Sequence, residues 1–233
     1  MNTFNKILSR VTLVLGVTFM SAFQLYADDW KEIMYADPTI FVENGKYYLT
    51  GTRNQEPQGF AILESTDLEH WTVPDGTSLQ LILRKGDQTY GEKGFWAPQY
   101  FKDKRTYYFT YTANEQTVIA SSKSVFGPFR QKEVKPVDAS AKNIDSFLFK
   151  DDDGKYYLYH VRFNKGNYLW VAEFDIKKGS IKPETLKQCM DCTEPWEKTP
   201  NYKSAPVMEG PTVMKWDGVY YLFYSANHFM NID

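Results

Sequence analysis

The sequence predicts an all-β fold in which repeated hairpins fan around a common axis as the blades of a β-propeller, and three observations lead there. Aromatic residues make up 17% of the 233 residues, led by 17 Tyr and 16 Phe, a bias toward side chains that pack well on pleated strands. Helical periodicity is nowhere sustained along the chain. Four segments share one pattern of a short apolar strand, a polar turn and a Tyr-Tyr strand: Asp37–Thr50, Trp96–Thr110, Ile144–Tyr159 and Glu209–Tyr224. The remaining composition, 42% hydrophobic and 24% charged, is that of a globular protein and excludes collagen, coiled coil and disorder. A net charge of −2 without a basic block lacks the phosphate-neutralising surface of a nucleic-acid binder.

Residues 1–27 read as a secretory signal peptide. Lys6 and Arg10 precede an apolar run from Val11 to Phe23, and Gln24 to Ala27 leads into Asp28 and Asp29. The run is shorter than the roughly 20 apolar residues of a membrane span, and Thr12, Thr18 and Ser21 interrupt it. The expected location is therefore periplasmic or secreted, with no membrane span after the leader is removed. Residues 28–233 form the expected partial propeller domain. In the first, third and fourth repeats the turn carries Asn44-Gly45, Asp153-Gly154 or Asp217-Gly218, residues that accept the positive φ of a tight hairpin. The Tyr-Tyr pairs begin at 47, 107, 156 and 220, at intervals of 60, 49 and 64 residues, which suit four-stranded blades with loop insertions. Ala61–Trp71, Val118–Ser122 and Tyr168–Phe174 supply outer strands to the first three blades. The fourth repeat has its hairpin at Thr212–Ser225 and stops at Asp233, so the expectation is about three and a half blades with an open ring and an unpaired edge. Cys189 and Cys192 stand alone as a C-x-x-C pair and read as two loop thiols or a local disulfide, without a catalytic role.

In a propeller the innermost strands converge on a central channel, so residues at the same entrance position of successive blades meet although scores of residues separate them. Aligned on the Tyr-Tyr pairs, the entrance residues are Asp37, Ala97, Asp145 and Gly210, with Glu209 one step before Gly210. One Asp-Pro alone reads as a turn. Three carboxylates at matched positions of one mouth are costly to cluster, since like charges raise one another's pKa. Such a set suits glycosidic bond hydrolysis, which needs one carboxyl kept protonated and another ionised.

The segments Tyr35-Ala36-Asp37-Pro38-Thr39, Phe95-Trp96-Ala97-Pro98, Ile144-Asp145-Ser146-Phe147 and Met208-Glu209-Gly210-Pro211-Thr212 resemble, in order and spacing, the signature segments of glycoside hydrolase family 43. These are inverting, five-bladed β-propeller enzymes acting on arabinose- and xylose-containing glycans. The resemblance implies Asp37 as general base, Glu209 as general acid and Asp145 as the residue that holds the acid and raises its pKa. It implies Trp96, with Phe95 beside it, as an aromatic wall for the sugar, and a base–acid separation of roughly 6.5–9.5 Å to leave room for a water. The expected partner is a plant-type or other glycan. Ser146 stands where the family commonly has Pro. The family's fifth blade supplies a central His, associated in many members with a metal ion, and an Arg near the sugar; neither has a counterpart here, so no metal or other cofactor is assigned. His160 and Arg162, on the strand of Tyr156-Tyr157, are candidates to reach the channel and the sugar, against the reading that a His and an Arg in a hairpin are ordinary outer-face residues.

The leading expectation is an exported arabinofuranosidase or xylosidase, with chain-end cutting favoured by a narrow mouth and with the short chain itself inactive. A propeller that binds sugar without turnover is the alternative from another class. A retaining fructan hydrolase is a further alternative, but it should show Asn-Asp-Pro-Asn, Arg-Asp-Pro and Glu-x-Cys where this chain has Ala36-Asp37-Pro38-Thr39, Ile144-Asp145-Ser146 and Glu209-Gly210-Pro211.

Overall fold

The computed structural model describes residues 33–198 and 206–228; the signal-peptide assignment lies outside them. Each Tyr-Tyr repeat is an antiparallel hairpin. The first joins β1 (Ala36–Glu43) to β2 (Lys46–Thr52), which pairs on with β4 (Leu63–Ser65), while β3 (Gly59–Ala61) pairs with β5 (Leu81–Arg84). The second is β6 (Trp96–Asp103), β7 (Thr106–Ala113) and β8 (Gln116–Ser122). The third is β9 (Asn143–Lys150), β10 (Tyr156–Phe163) and β11 (Asn167–Asp175), extended by the short β12 (Ser180–Ile181) and β13 (Lys187–Gln188). The fourth is the hairpin of β14 (Met208–Trp216) and β15 (Val219–Ala226). The innermost strands contact one another in sequence order, β1 with β6, β6 with β9 and β9 with β14, which is the arrangement of a propeller: three blades and the inner hairpin of a fourth. The fourth strand expected in every blade is present in the third as the two-residue pieces β12 and β13. In the first two it shrinks to single bridges, Glu64 to Thr72 and Ser121 to Arg130.

The apolar side chains are buried between blades rather than within one. Phe60, Ile82, Tyr100, Phe109, Tyr111 and Phe129 fill the space between the first and second blades. Ile119, Leu148, Leu158 and Phe174 fill the next, and Val161, Leu169 and Met208 the third. The faces of β1 and of β14–β15 that no described blade covers leave Ile40, Val42, Trp216, Val219 and Phe223 exposed. Cys189 and Cys192 are free thiols packed against the third cluster. Burial pushes the Cys189 thiol up to about 11, which leaves it protonated and unreactive.

The repeated tyrosines have a structural task. At the turn end of each inner hairpin a carboxylate is gripped by a Lys and the first Tyr of the next repeat. Glu43 takes Lys102 and the Tyr107 hydroxyl, Asp103 takes Lys150 (2.7 Å) and Tyr156 (2.9 Å), and Asp151 takes Lys215 (2.9 Å) and Tyr220 (2.5 Å). Each such pair is partly exposed and screened by solvent, so singly it stabilises little. The same clamp recurs at three successive blade junctions and ties each hairpin to the next. Among the described residues no helix is long and apolar enough to cross a membrane.

Candidate active site

The site begins with four identical irregularities. In every inner hairpin two residues of the inner strand oppose one of its neighbour: Asp37-Pro38, Ala97-Pro98, Asp145-Ser146 and Gly210-Pro211. The first residue of each bulge is left-handed, with φ of 47°, 45°, 49° and 61°. This is the β-bulge that sharpens strand twist and re-aims a side chain. The left-handed region costs a residue with a Cβ about 1–2 kcal/mol, less for Asp, which bonds locally there. Gly51 faces the first bulge, and a Cβ on it would lie 2.6 Å from the Tyr35 side chain and 2.7 Å from the Ala36 carbonyl oxygen, so only glycine lets β2 approach the segment leading into Asp37 this closely.

Hydrogen bonds stitch the second, third and fourth bulges each to the blade before it. Thr52 Oγ1 accepts from the Ala97 amide (2.8 Å) and donates to Asp37 Oδ2 (2.5 Å). Thr112 Oγ1 accepts from the Asp145 amide (3.1 Å). Val161 occupies the corresponding place in the third blade, so Asp145 Oδ2 itself accepts the Gly210 amide (3.3 Å). Asp145 is thereby bound to the peptide that follows Glu209, whose Oε1 accepts from Asn167 Nδ2 at 2.6 Å.

Asp37, Ala97, Asp145, Gly210 and Ser225 are among the residues that line one cavity of about 440 Å³ at the entrance end of the inner strands, and Glu209 stands immediately before its lining residue Gly210. Asp37 is exposed, whereas Asp145 and Glu209 are half-buried. Burial is the main cause that raises the Asp145 carboxyl to about 7, reinforced by the charges of Glu209 and Asp37. Glu209 is also raised, by burial first and with a contribution from Asp37, against the lowering effects of the Asn167 hydrogen bond and of His228. The three acids that the repeat alignment pointed to are thus within electrostatic reach of one another, and the site holds protons near neutrality where isolated carboxyls do not.

A carboxyl whose folded pKa lies above its unfolded value stabilises the fold below the unfolded pKa, and that contribution is lost as pH rises through the folded value. For Asp145 the loss runs from about pH 4 to about pH 7. Asp145→Asn keeps a carbonyl oxygen for the Gly210 amide and removes the titration. Its melting temperature should therefore exceed that of the parent by a few degrees at pH 8 and match it near pH 4. Calorimetry at the two pH values checks this, and an equal difference at both would refute it.

The other expected site residues do not line this cavity. Phe95 is a core residue, 4% exposed, with its ring stacked on Tyr111 at 5.7 Å. Alternate residues of an extended chain face opposite sides, so it is Trp96, 38% exposed, that emerges, beside Gly94 and next to the lining residue Ala97. His160 is 1% exposed, sits opposite the Asp145 bulge and is kept neutral by burial, its pKa lowered to about 4. Arg162 is 8% exposed, and its guanidinium is taken up by Asp138 and Ser140. Both belong to β10, the middle strand of its blade, and both are buried away from this cavity. The expectation that Phe95, His160 and Arg162 reach the sugar is corrected accordingly. Among the described residues no cluster of three or more His, Cys, Asp or Glu side chains is placed to hold a metal ion.

Residues that the sequence pattern does not single out are Thr52, Thr112, Ser225 and Asn167. The first three stand five positions after the first Tyr of their pairs, a regularity within the repeat alignment that only its hydrogen bonds make meaningful.

The sequence matches the description Glycosyl hydrolases family 43 over residues 31–230. It is 28% identical over 232 residues to the extracellular endo-α-(1→5)-L-arabinanase 1 of Bacillus subtilis (strain 168), covering 93% of this chain and 68% of that protein. It is 29% identical over 204 residues to a xylosidase/arabinosidase of Butyrivibrio fibrisolvens, covering 82% of this chain and 37% of the relative. The crystal structure of an endo-1,4-β-xylanase from Bacteroides thetaiotaomicron VPI-5482 superposes with a TM-score of 0.75 and 41% identity over 84% of this chain, which spans 65% of that one.

Proposed function

Because the chain belongs to glycosyl hydrolases family 43, we propose that it acts as an exported glycoside hydrolase on arabinose- or xylose-containing glycans by an inverting acid–base mechanism. The observation that carries the reading is the meeting of Asp37 and Asp145, each the first residue of its bulge, with Glu209, the residue just before the fourth bulge, one exposed and two half-buried with raised pKa values. Exposed Asp37, oriented by the Thr52 hydroxyl, takes a proton from a water as that water attacks the anomeric carbon. Glu209 gives its proton to the leaving oxygen as the glycosidic bond breaks. The hydroxyl arrives on the face opposite the departing group, and proton exchange with solvent restores both carboxyls. Asp145 positions Glu209 through the Gly210 amide, and its charge, when present, favours the protonated acid. Trp96 supplies a ring at the rim against which a sugar face packs. Export is supported by the leader pattern of residues 1–27 and by the extracellular description of the arabinanase relative.

Turnover of aryl arabinofuranoside and aryl xyloside by the full-length protein tests the reaction class. Proton NMR of the sugar released in the first turnovers should show the anomeric configuration inverted. Retained configuration would sink the inverting assignment, and failure to hydrolyse any pentoside or pentose-containing glycan would sink the function.

A further inference from the structure

A second cavity, of about 350 Å³, opens between the second and third blades at the same end of the molecule as the acids. Its walls come from one turn and the ends of three strands: Glu115 from the β7–β8 turn, Asn143 and Ile144 from the start of β9, Phe163 from the end of β10 and Asn167 from the start of β11. Phe163 holds its ring 60% exposed at this opening. Lys142 and Glu115 face each other across the rim at 2.5 Å, both side chains largely in solvent. The floor is rigid. Asn143 is 1% exposed and bonds the Thr117 amide (3.0 Å), the Gln116 side chain and the carbonyls of Asp138 and Ala141, which ties β8 to β9.

Asn167 belongs to both cavities. It lines this one and donates to Glu209 on the other side, while its backbone amide bonds Pro206 just upstream of the acid (2.9 Å). Gly166 makes that approach possible, since a Cβ there would lie 3.0 Å from Pro206. Ile144 likewise lines this cavity while the adjacent Asp145 lines the first. A preformed pocket with one exposed aromatic ring, an apolar wall and a few charged hydrogen-bonding groups has the chemistry that holds a pyranose or furanose: the ring packs against C–H groups and the polar rim meets hydroxyls.

We infer that this cavity is a subsite for a further sugar of the same glycan chain, with Phe163 as its platform, Lys142 and Glu115 as its hydroxyl-binding rim, and Asn167 as the wall it shares with the acid. The inference rests on the hydrolase reading above and adds to it a preference for oligosaccharides over single sugars.

The test is calorimetric binding with Asp37→Asn protein, so that ligands persist. The probes are α-1,5-arabino-oligosaccharides and β-1,4-xylo-oligosaccharides of two to five sugars, with an aryl monoglycoside as the short reference. Affinity should rise with length, and adding Phe163→Ala should weaken the tetrasaccharide about tenfold more than the aryl monoglycoside, the loss corresponding to one sugar–aromatic contact. Lys142→Ala, which touches no core residue, should show the same length dependence in smaller degree. Equal losses at every length, or none, would overturn the subsite while leaving the hydrolase reading intact. If parent and variants bind no oligosaccharide and the parent hydrolyses none, the hydrolase reading fails, and the subsite with it.

Discussion

Glu209→Gln is expected to slow hydrolysis of natural arabinose- or xylose-containing glycans by about 10²–10⁴-fold, the usual contribution of a general acid, while hydrolysis of an aryl glycoside with a strongly acidic phenol leaving group falls far less. An alkoxide leaving group needs the proton of Glu209, whereas an activated phenolate departs without it. The substitution is nearly isosteric, and the new amide oxygen still accepts from Asn167. Ligand affinity should therefore survive. The raised pKa of Glu209, caused first by its burial, sets the alkaline limb of the parent's pH profile, because the acid must be protonated. That limb should disappear for the activated substrate in the variant. Equal losses on natural and activated substrates, in a protein that still binds ligand, would remove Glu209 from the acid role.

Asp37→Asn is expected to lose about 10²–10⁴-fold on every substrate, activated or not, since attack by water requires a base whatever leaves. The change is chosen so that the fold does not answer for the result. Asn tolerates the left-handed φ of 47° as Asp does, and its carbonyl oxygen can accept from Thr52 in place of Asp37 Oδ2. Turnover of an aryl pentoside at more than a tenth of the parental rate would refute the base assignment. Thr52→Val separates orientation from basicity in the same place: Asp37 keeps its carboxylate but loses its partner.

The fold and the acids were legible for one reason. Residues repeated along the chain at blade spacing become neighbours around an axis, so aligning the Tyr-Tyr pairs was enough to bring Asp37, Asp145 and Glu209 to one end of the inner strands. The blade edges were less legible, because an outer strand reduced to one bridge, as at Glu64 and Thr72, leaves no alternation to read. The sugar-contact residues Phe95, His160 and Arg162 were chosen by residue type and neighbourhood, and burial decides against them. Phe95 turns to the core as Trp96 turns out, and Arg162 answers the charge of Asp138.

By itself the sequence determined the all-β hairpin repeat, its order and the acids that each entrance carries, since these follow from local pattern and periodicity. Only the tertiary structure decided how those acids are aimed and which of them is desolvated. Left-handed bulges, threonine stitches and the Asn167 bond exist only between blades, and a carboxyl's pKa depends on the neighbours and the water left around it once the blades have closed together.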